Sequence, residues 1–149
     1  MEKEFIPYEQ ALALKELGFD EPCFGFWNYN DSKMYYWNDE EIQNERTNTW
    51  FLDTEKKFPK ISKNGCTTPT YSQAFRWFRE KYGLVIQYIP FELDNEEGQS
   101  ILHHKHKISE YDSWRGGRRN TIETELCDGY EEAELACLKK LIEIVKDGK

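Results

Sequence analysis

The histidines of this chain, His103, His104 and His106, fall within four consecutive positions. On a strand, side chains alternate, so His104 and His106 share a face with Leu102 while His103 points to the other. Two imidazoles on one face can hold a metal when a carboxylate or thiolate joins them. Here Lys105 and Lys107 oppose a cation, and no cysteine or acidic residue stands at close ligand spacing. The run is therefore expected to be a plain strand, and no metal site is assigned. The stretch from His103 to Arg119 carries Lys105, Lys107, Arg115, Arg118 and Arg119 against only Glu110 and Asp112, with Tyr111 and Trp114 interleaved. Cations next to stackable rings suit a nucleotide phosphate or a single strand of nucleic acid. That makes Trp114, Arg115, Arg118 and Arg119 candidate anion-binding residues. A basic run alone is a weak motif, and the plainer reading is a loop whose arginines pair with the protein's own carboxylates. Gly116-Gly117-Arg118-Arg119 lacks the Lys-Ser/Thr step into a helix that a phosphate-cradling loop requires.

A second candidate surface is Trp77 with Arg76 and Arg79. Trp77 lies roughly 120° from the centre of its helix's apolar stripe, at 100° per residue, and tryptophan with arginine is the composition of binding hot spots. The competing reading packs Trp77 under a neighbouring loop, and it is preferred because large rings are mostly buried. Cys66 lies in Gly65-Cys66-Thr67-Thr68 just before a helix, where a helix dipole lowers a thiol pKa. No histidine is near it in sequence, so no nucleophile is assigned. Acidic pairs such as Glu40 and Glu41 are too common here to mark general acid–base work. No catalytic residue and no cofactor emerge, and the chain is not read as an enzyme.

These residues must be positioned by a small set of elements. The clearest is the helix around Tyr71–Tyr82. Thr70 and Gln73 have capping-box spacing, Tyr71, Ala74, Phe75, Phe78 and Tyr82 form one stripe, and Gly83 stands where a left-handed residue ends a helix. A last helix is equally plain. Asp128 and Glu131 have capping-box spacing. Tyr130, Ala133, Cys137, Leu138, Leu141, Ile144 and Val145 face inward, with Leu135 and Ile142 on the flank, and early glutamates and late lysines complement the dipole. A first helix is expected over Pro7–Leu17, ended by Gly18. Strands are expected at Cys23–Asn28 and Lys33–Trp37, joined as a hairpin by Tyr29–Ser32, and at Thr49–Leu52. Further strands are expected at Leu84–Ile89, which its apolar composition places centrally with Pro90 near its end, at Ser100–Ile108, and at Thr121–Leu126. Residues 38–48, 53–67 and 111–120 are expected to be loops. Trp27, Tyr35, Tyr36, Trp37 and Trp50 are read first as core and cross-strand pairs. Gly25 inside its strand marks a bulge or a close approach by another group. The result is one α+β domain over residues 1–149, ordered α-β-β-β-α-β-β-(β)-α, with an antiparallel sheet of four to six strands and three helices on one face.

Composition sets the remaining bounds. With 38% hydrophobic but 15% aromatic residues, the core is expected to rest on a few large rings, each burying ~150–250 Å². A net charge of -8 disfavours non-specific attraction to phosphate backbones or anionic membranes. No apolar run approaches the ~20 residues needed to cross a bilayer, and Met1–Phe5 lacks the apolar core of a secretion signal. Cys23, Cys66, Cys127 and Cys137 are scattered and are read as reduced thiols of a cytoplasmic protein.

Three stretches carry a resemblance: Phe5-Ile6-Pro7-Tyr8-Glu9-Gln10-Ala11-Leu12, Thr68 through Lys81, and Tyr130-Glu131-Glu132-Ala133-Glu134-Leu135-Ala136. They look like a group of short uncharacterised proteins of phages, prophages and gut-bacterial genomes. The resemblance covers the helices and the first strand but not residues 95–120. It brings no known activity and implies a small intracellular accessory protein. The expectation is a non-enzymatic module that binds another protein or itself, with nucleotide or single-strand binding by residues 103–119 as the alternative.

Overall fold

Residues 2–28, 33–36, 65–112 and 117–148 are described in the computed structural model, and the chain divides into two compact units, 1–71 and 72–149. After a single 3-10 turn at Glu2–Glu4, the described elements run α-β-β-β-α-β-β-β-α, and every strand pairing is antiparallel. The six described strands form two three-stranded sheets.

In the first unit, Pro7 presets the backbone for α1 (Tyr8–Glu16), which buries Ala11 and Leu14. Gly18 at φ 87 ends it. Its N–H donates to the Lys15 carbonyl at 3.0 Å, and the Phe19 N–H donates to that of Leu14 at 3.0 Å. This paired arrangement satisfies carbonyls that a helix end otherwise leaves bare. β1 (Gly25–Asn28) lies between β2 (Lys33–Tyr36) and β3 (Gly65–Thr68). The expected hairpin pairing is present, with Gly25 opposite Tyr36. β3, in contrast, occupies a stretch expected to be loop; its two adjacent threonines suit a pleated edge and its Gly65 disguised it. The expected strand at Thr49–Leu52, the loop at 38–48, Glu40, Glu41, Trp37 and Trp50 lie outside the described residues, as do the side chains of Tyr35 and Tyr36. Gly25 is a close approach: a Cβ there would stand 2.8 Å from the Phe5 ring and 3.0 Å from Thr68 Cγ2. The Ile6 carbonyl accepts from Thr68 Oγ1 at 2.7 Å and from Trp27 Nε1 at 2.9 Å. The Ile6 N–H donates to the Pro69 carbonyl at 3.1 Å.

The second unit contains α2 (Tyr71–Tyr82), apart from its first residue, and then Gly83, which has φ 67 as its position predicts. β4 (Leu84–Asp94), β5 (Ser100–Asp112) and β6 (Gly117–Glu123) follow, with β5 in the middle. β4 is thus an edge among the described strands rather than a central one, and it continues through Pro90 to Asp94. An edge position tolerates the proline's missing N–H. β6 takes in Gly117–Asn120, which was expected to be loop, and shifts register against β5 between Ser109 and Tyr111. α3 (Tyr130–Asp147) buries Ala133, Cys137, Leu138, Leu141, Ile142 and Val145. Its N-cap is Gly129 with no side-chain cap bond, so the expected Asp128–Glu131 capping box does not form. Asp128 instead meets His103.

Both helices of this unit serve one face of the sheet. The register aligns Leu84, Ile86 and Tyr88 of β4 with Glu110, Ile108 and His106 of β5. Phe75 of α2 stands 6.0 Å from the His106 ring, and Ile144 of α3 lines a cavity with Leu84, Ile108 and Ile122. Alternation sends Gln87, Ile89, Phe91 and Leu93, with Ile101, His103, Lys105 and Lys107, to the opposite face.

Candidate interaction surface

The β4–β5 hairpin is long for its sheet. Eleven residues of β4 pair with β5, a ladder of about 36 Å at ~3.3 Å per residue. Its turn is held firmly. Asn95 Oδ1 accepts from the Glu97 and Gln99 N–H groups at 3.0 and 2.8 Å, the Asn95 N–H donates to the Gln99 carbonyl at 2.9 Å, and Gly98 supplies φ 75. Asn and Gly are the residues such turns need. On the face opposite the helices, Phe91, Leu93 and Ile101 are 43%, 42% and 41% exposed. Leu93 lies directly across from Ile101, and Phe91 across from His103. Lys105 Nζ lies 5.3 Å from the Phe91 ring centroid and bonds Glu123 Oε2 at 2.7 Å. That bond holds the Glu123 carboxyl below its usual value. Sequence reasoning identified the hairpin but not this row, although alternation alone puts Phe91, Leu93 and Ile101 on one face.

On the helix-bearing face the histidines meet aromatic rings. Tyr88 Oη and His104 Nδ1 share a hydrogen bond at 2.6 Å, with the rings stacked at 5.8 Å. Tyr130, at the start of α3, stands edge-on to Tyr88 at 5.3 Å and to His104 at 6.0 Å. Burial raises the Tyr130 phenol's pKa, and the charge and hydrogen bond of Glu134 add to the shift. His106 is 2% exposed, and its Nδ1 has no hydrogen-bond partner. Burial pushes its pKa below 6.5; a hydrogen bond to the Ala133 backbone opposes that shift and His104 adds to it. As the alternation predicts, His103 lies apart on the other face, with Nδ1 2.9 Å from Asp128 Oδ1. Among the described residues, no three histidine, cysteine, aspartate or glutamate side chains converge as a metal site.

The candidate binding residues are not brought together on one described surface. Trp77 is 5% exposed, wedged edge-on against Phe78 at 5.1 Å and Tyr82 at 5.3 Å, with Lys81 Nζ 4.7 Å from its ring. Arg76 and Arg79 are exposed, and Arg76 Nε lies 3.9 Å from Glu80. Trp114 and Arg115 lie outside the described residues. Arg118 and Arg119 are in β6, and their side chains are likewise outside. Cys66 lies in β3 rather than in a loop, buried like Cys23 and Cys137. Burial pushes the thiols of Cys23 and Cys137 up to about 12, the reverse of an activated nucleophile. No helix among the described residues is long and apolar enough to cross a membrane. Comparison with family models, curated proteins and solved structures gives no match for this chain.

Proposed function

We propose that this chain is a non-enzymatic protein-binding module, an accessory protein of the cytoplasm, whose contact surface is the outward row of the β4–β5 hairpin. The observation that carries the reading is the alignment of Phe91, Leu93 and Ile101, each more than two-fifths exposed, on one face of the β4–β5 hairpin. A contiguous exposed apolar row on a soluble fold is the usual sign of a contact site, and an aromatic at its centre is the usual anchor. Nucleotide or single-strand binding by residues 103–119 needs available cations. The Glu123 bond already engages Lys105, which favours the protein reading over that alternative.

A photo-crosslinking side chain placed at position 91 tests this in cells. The expected result is covalent capture of protein from position 91 and none from a control at exposed Glu143. Equal capture at both positions, or none at either, would refute the assignment of the surface.

A further inference from the structure

We infer that Tyr88, with His104 as its proton acceptor, is a site of one-electron oxidation, open to a diffusible oxygen-centred radical of the peroxyl class. It lies on the helix-bearing face and is separate from the hairpin row. Tyr88 Oη and His104 Nδ1 are 2.6 Å apart. That is shorter than the ~2.7–3.2 Å of N–H···O bonds and falls within the O–H donor range, so the phenol donates and the imidazole accepts. Both backbone groups of His104 are tied to Cys127. The His104 N–H donates to the Cys127 carbonyl at 2.8 Å, and its carbonyl accepts from the Cys127 N–H at 2.9 Å. The stacked Tyr88 ring and the edge-on Tyr130 ring then fix the plane of the imidazole. A base so placed is within reach of the proton that it takes. Tyr88 itself is 40% exposed, so an oxidant can touch its ring.

A phenol that loses an electron becomes a strong acid, and a base already bonded to its hydrogen lets electron and proton leave together. The peroxyl radical, ROO•, takes one electron from the Tyr88 ring and departs as ROO⁻. In the same step the Oη–H bond breaks and that proton bonds to His104 Nδ1, which leaves a neutral phenoxyl radical beside an imidazolium. The imidazolium then releases the proton to water, and ROO⁻ takes one up as ROOH. Two such phenoxyl radicals join at ring carbons, and return of the ring hydrogens to oxygen restores both phenols in a dityrosine bond. Two other exposed tyrosines lack this arrangement. Tyr130 is 44% exposed and bonds Glu134, and a carboxylate is a weaker base than an imidazole by about two powers of ten. Tyr111 is 59% exposed, and its hydroxyl makes no hydrogen bond among the described residues. Exposure alone ranks Tyr111 first; a bonded base ranks Tyr88 first.

Brief oxidation of the full chain by photogenerated tris-bipyridyl ruthenium(III) tests the inference. The complex stands in for the oxygen-centred radical as a pure one-electron acceptor. A phenylenediamine trap adds to tyrosyl radicals, and peptide mass spectrometry places the adducts. The expected result is that Tyr88 is tagged before Tyr111 and Tyr130. His104→Gln keeps an acceptor but removes the basic nitrogen, and should lower Tyr88 tagging relative to Tyr111 in the same molecule about tenfold or more. Tyr111 or Tyr130 tagged first in the native chain, or a Tyr88-to-Tyr111 ratio unchanged in His104→Gln, overturns the inference. If His104→Gln loses its helical circular dichroism, the native chain in deuterium oxide takes its place. Tyr88 tagging should then slow, because its O–D bond breaks in the oxidation step, and an unchanged rate overturns the inference equally.

Discussion

Replacing His106 by leucine should flatten the dependence of stability on pH between 7.5 and 5.5. The imidazole is 2% exposed, its Nδ1 is unpartnered, and burial depresses its pKa. The groups facing it are Phe75, Tyr88, His104 and Tyr130, with no carboxylate among these ring contacts to hold a proton on it. Above the unfolded value of 6.5 both states are neutral and the linkage vanishes. As pH falls through that value, the unfolded chain takes up a proton that the native site resists, so stability is lost on acidification. The loss can approach a slope of about 1.4 kcal/mol per pH unit. If the native ring stays neutral throughout, the fall from pH 7.5 to 5.5 totals roughly 1.4 kcal/mol, tenfold in the folding equilibrium. His106→Leu removes this contribution and leaves His103 and His104 in place, so the difference between the two proteins isolates His106. Urea unfolding followed by helical circular dichroism at several pH values supplies the free energies. Equal slopes in wild type and His106→Leu, or a wild type that gains on the variant toward pH 5.5, would refute the reasoning.

Two further outcomes follow from the packing. Gly25→Ala drives a methyl to within 2.8 Å of the Phe5 ring and should cost about 1–3 kcal/mol in urea unfolding, as overpacking does; an unchanged midpoint would show that Phe5 simply yields. In the native protein at pH 8, a thiol reagent should modify half-buried Cys127 first and leave Cys23 and Cys137 untouched, since burial holds both of the latter near 12; early mass-spectrometric labelling of Cys137 would contradict the buried helix face.

Legibility in the sequence followed how local the signal was. α2 and α3 were readable because their stripes repeat over several turns, and Gly18 and Gly83 marked helix ends that the backbone confirms. β3 was not, because four residues between a glycine and a helix start carry no period, and its partner β1 lies far off in sequence. Asp128 misled for a related reason: capping-box spacing is a local rule, and His103 outcompetes it from another strand. The edge position of β4 was hidden as well, since two helices on one face make an edge strand as apolar as an inner one at its Leu84 end. The exposed row at Phe91, Leu93 and Ile101 was present in the alternation, but which face of the sheet the helices cover is a tertiary fact.

The Ile6 carbonyl has a consequence for biosynthesis. It is shared between Trp27 and Thr68, a residue 62 positions away, and its own N–H waits for Pro69. During translation at ~5–20 residues per second, that pairing is out of reach for roughly 3–12 s after Ile6 is made. The Ile6 segment is thus fixed only once β3 has been made, and a nascent chain halted before residue 68 would leave Ile6 open to a chaperone.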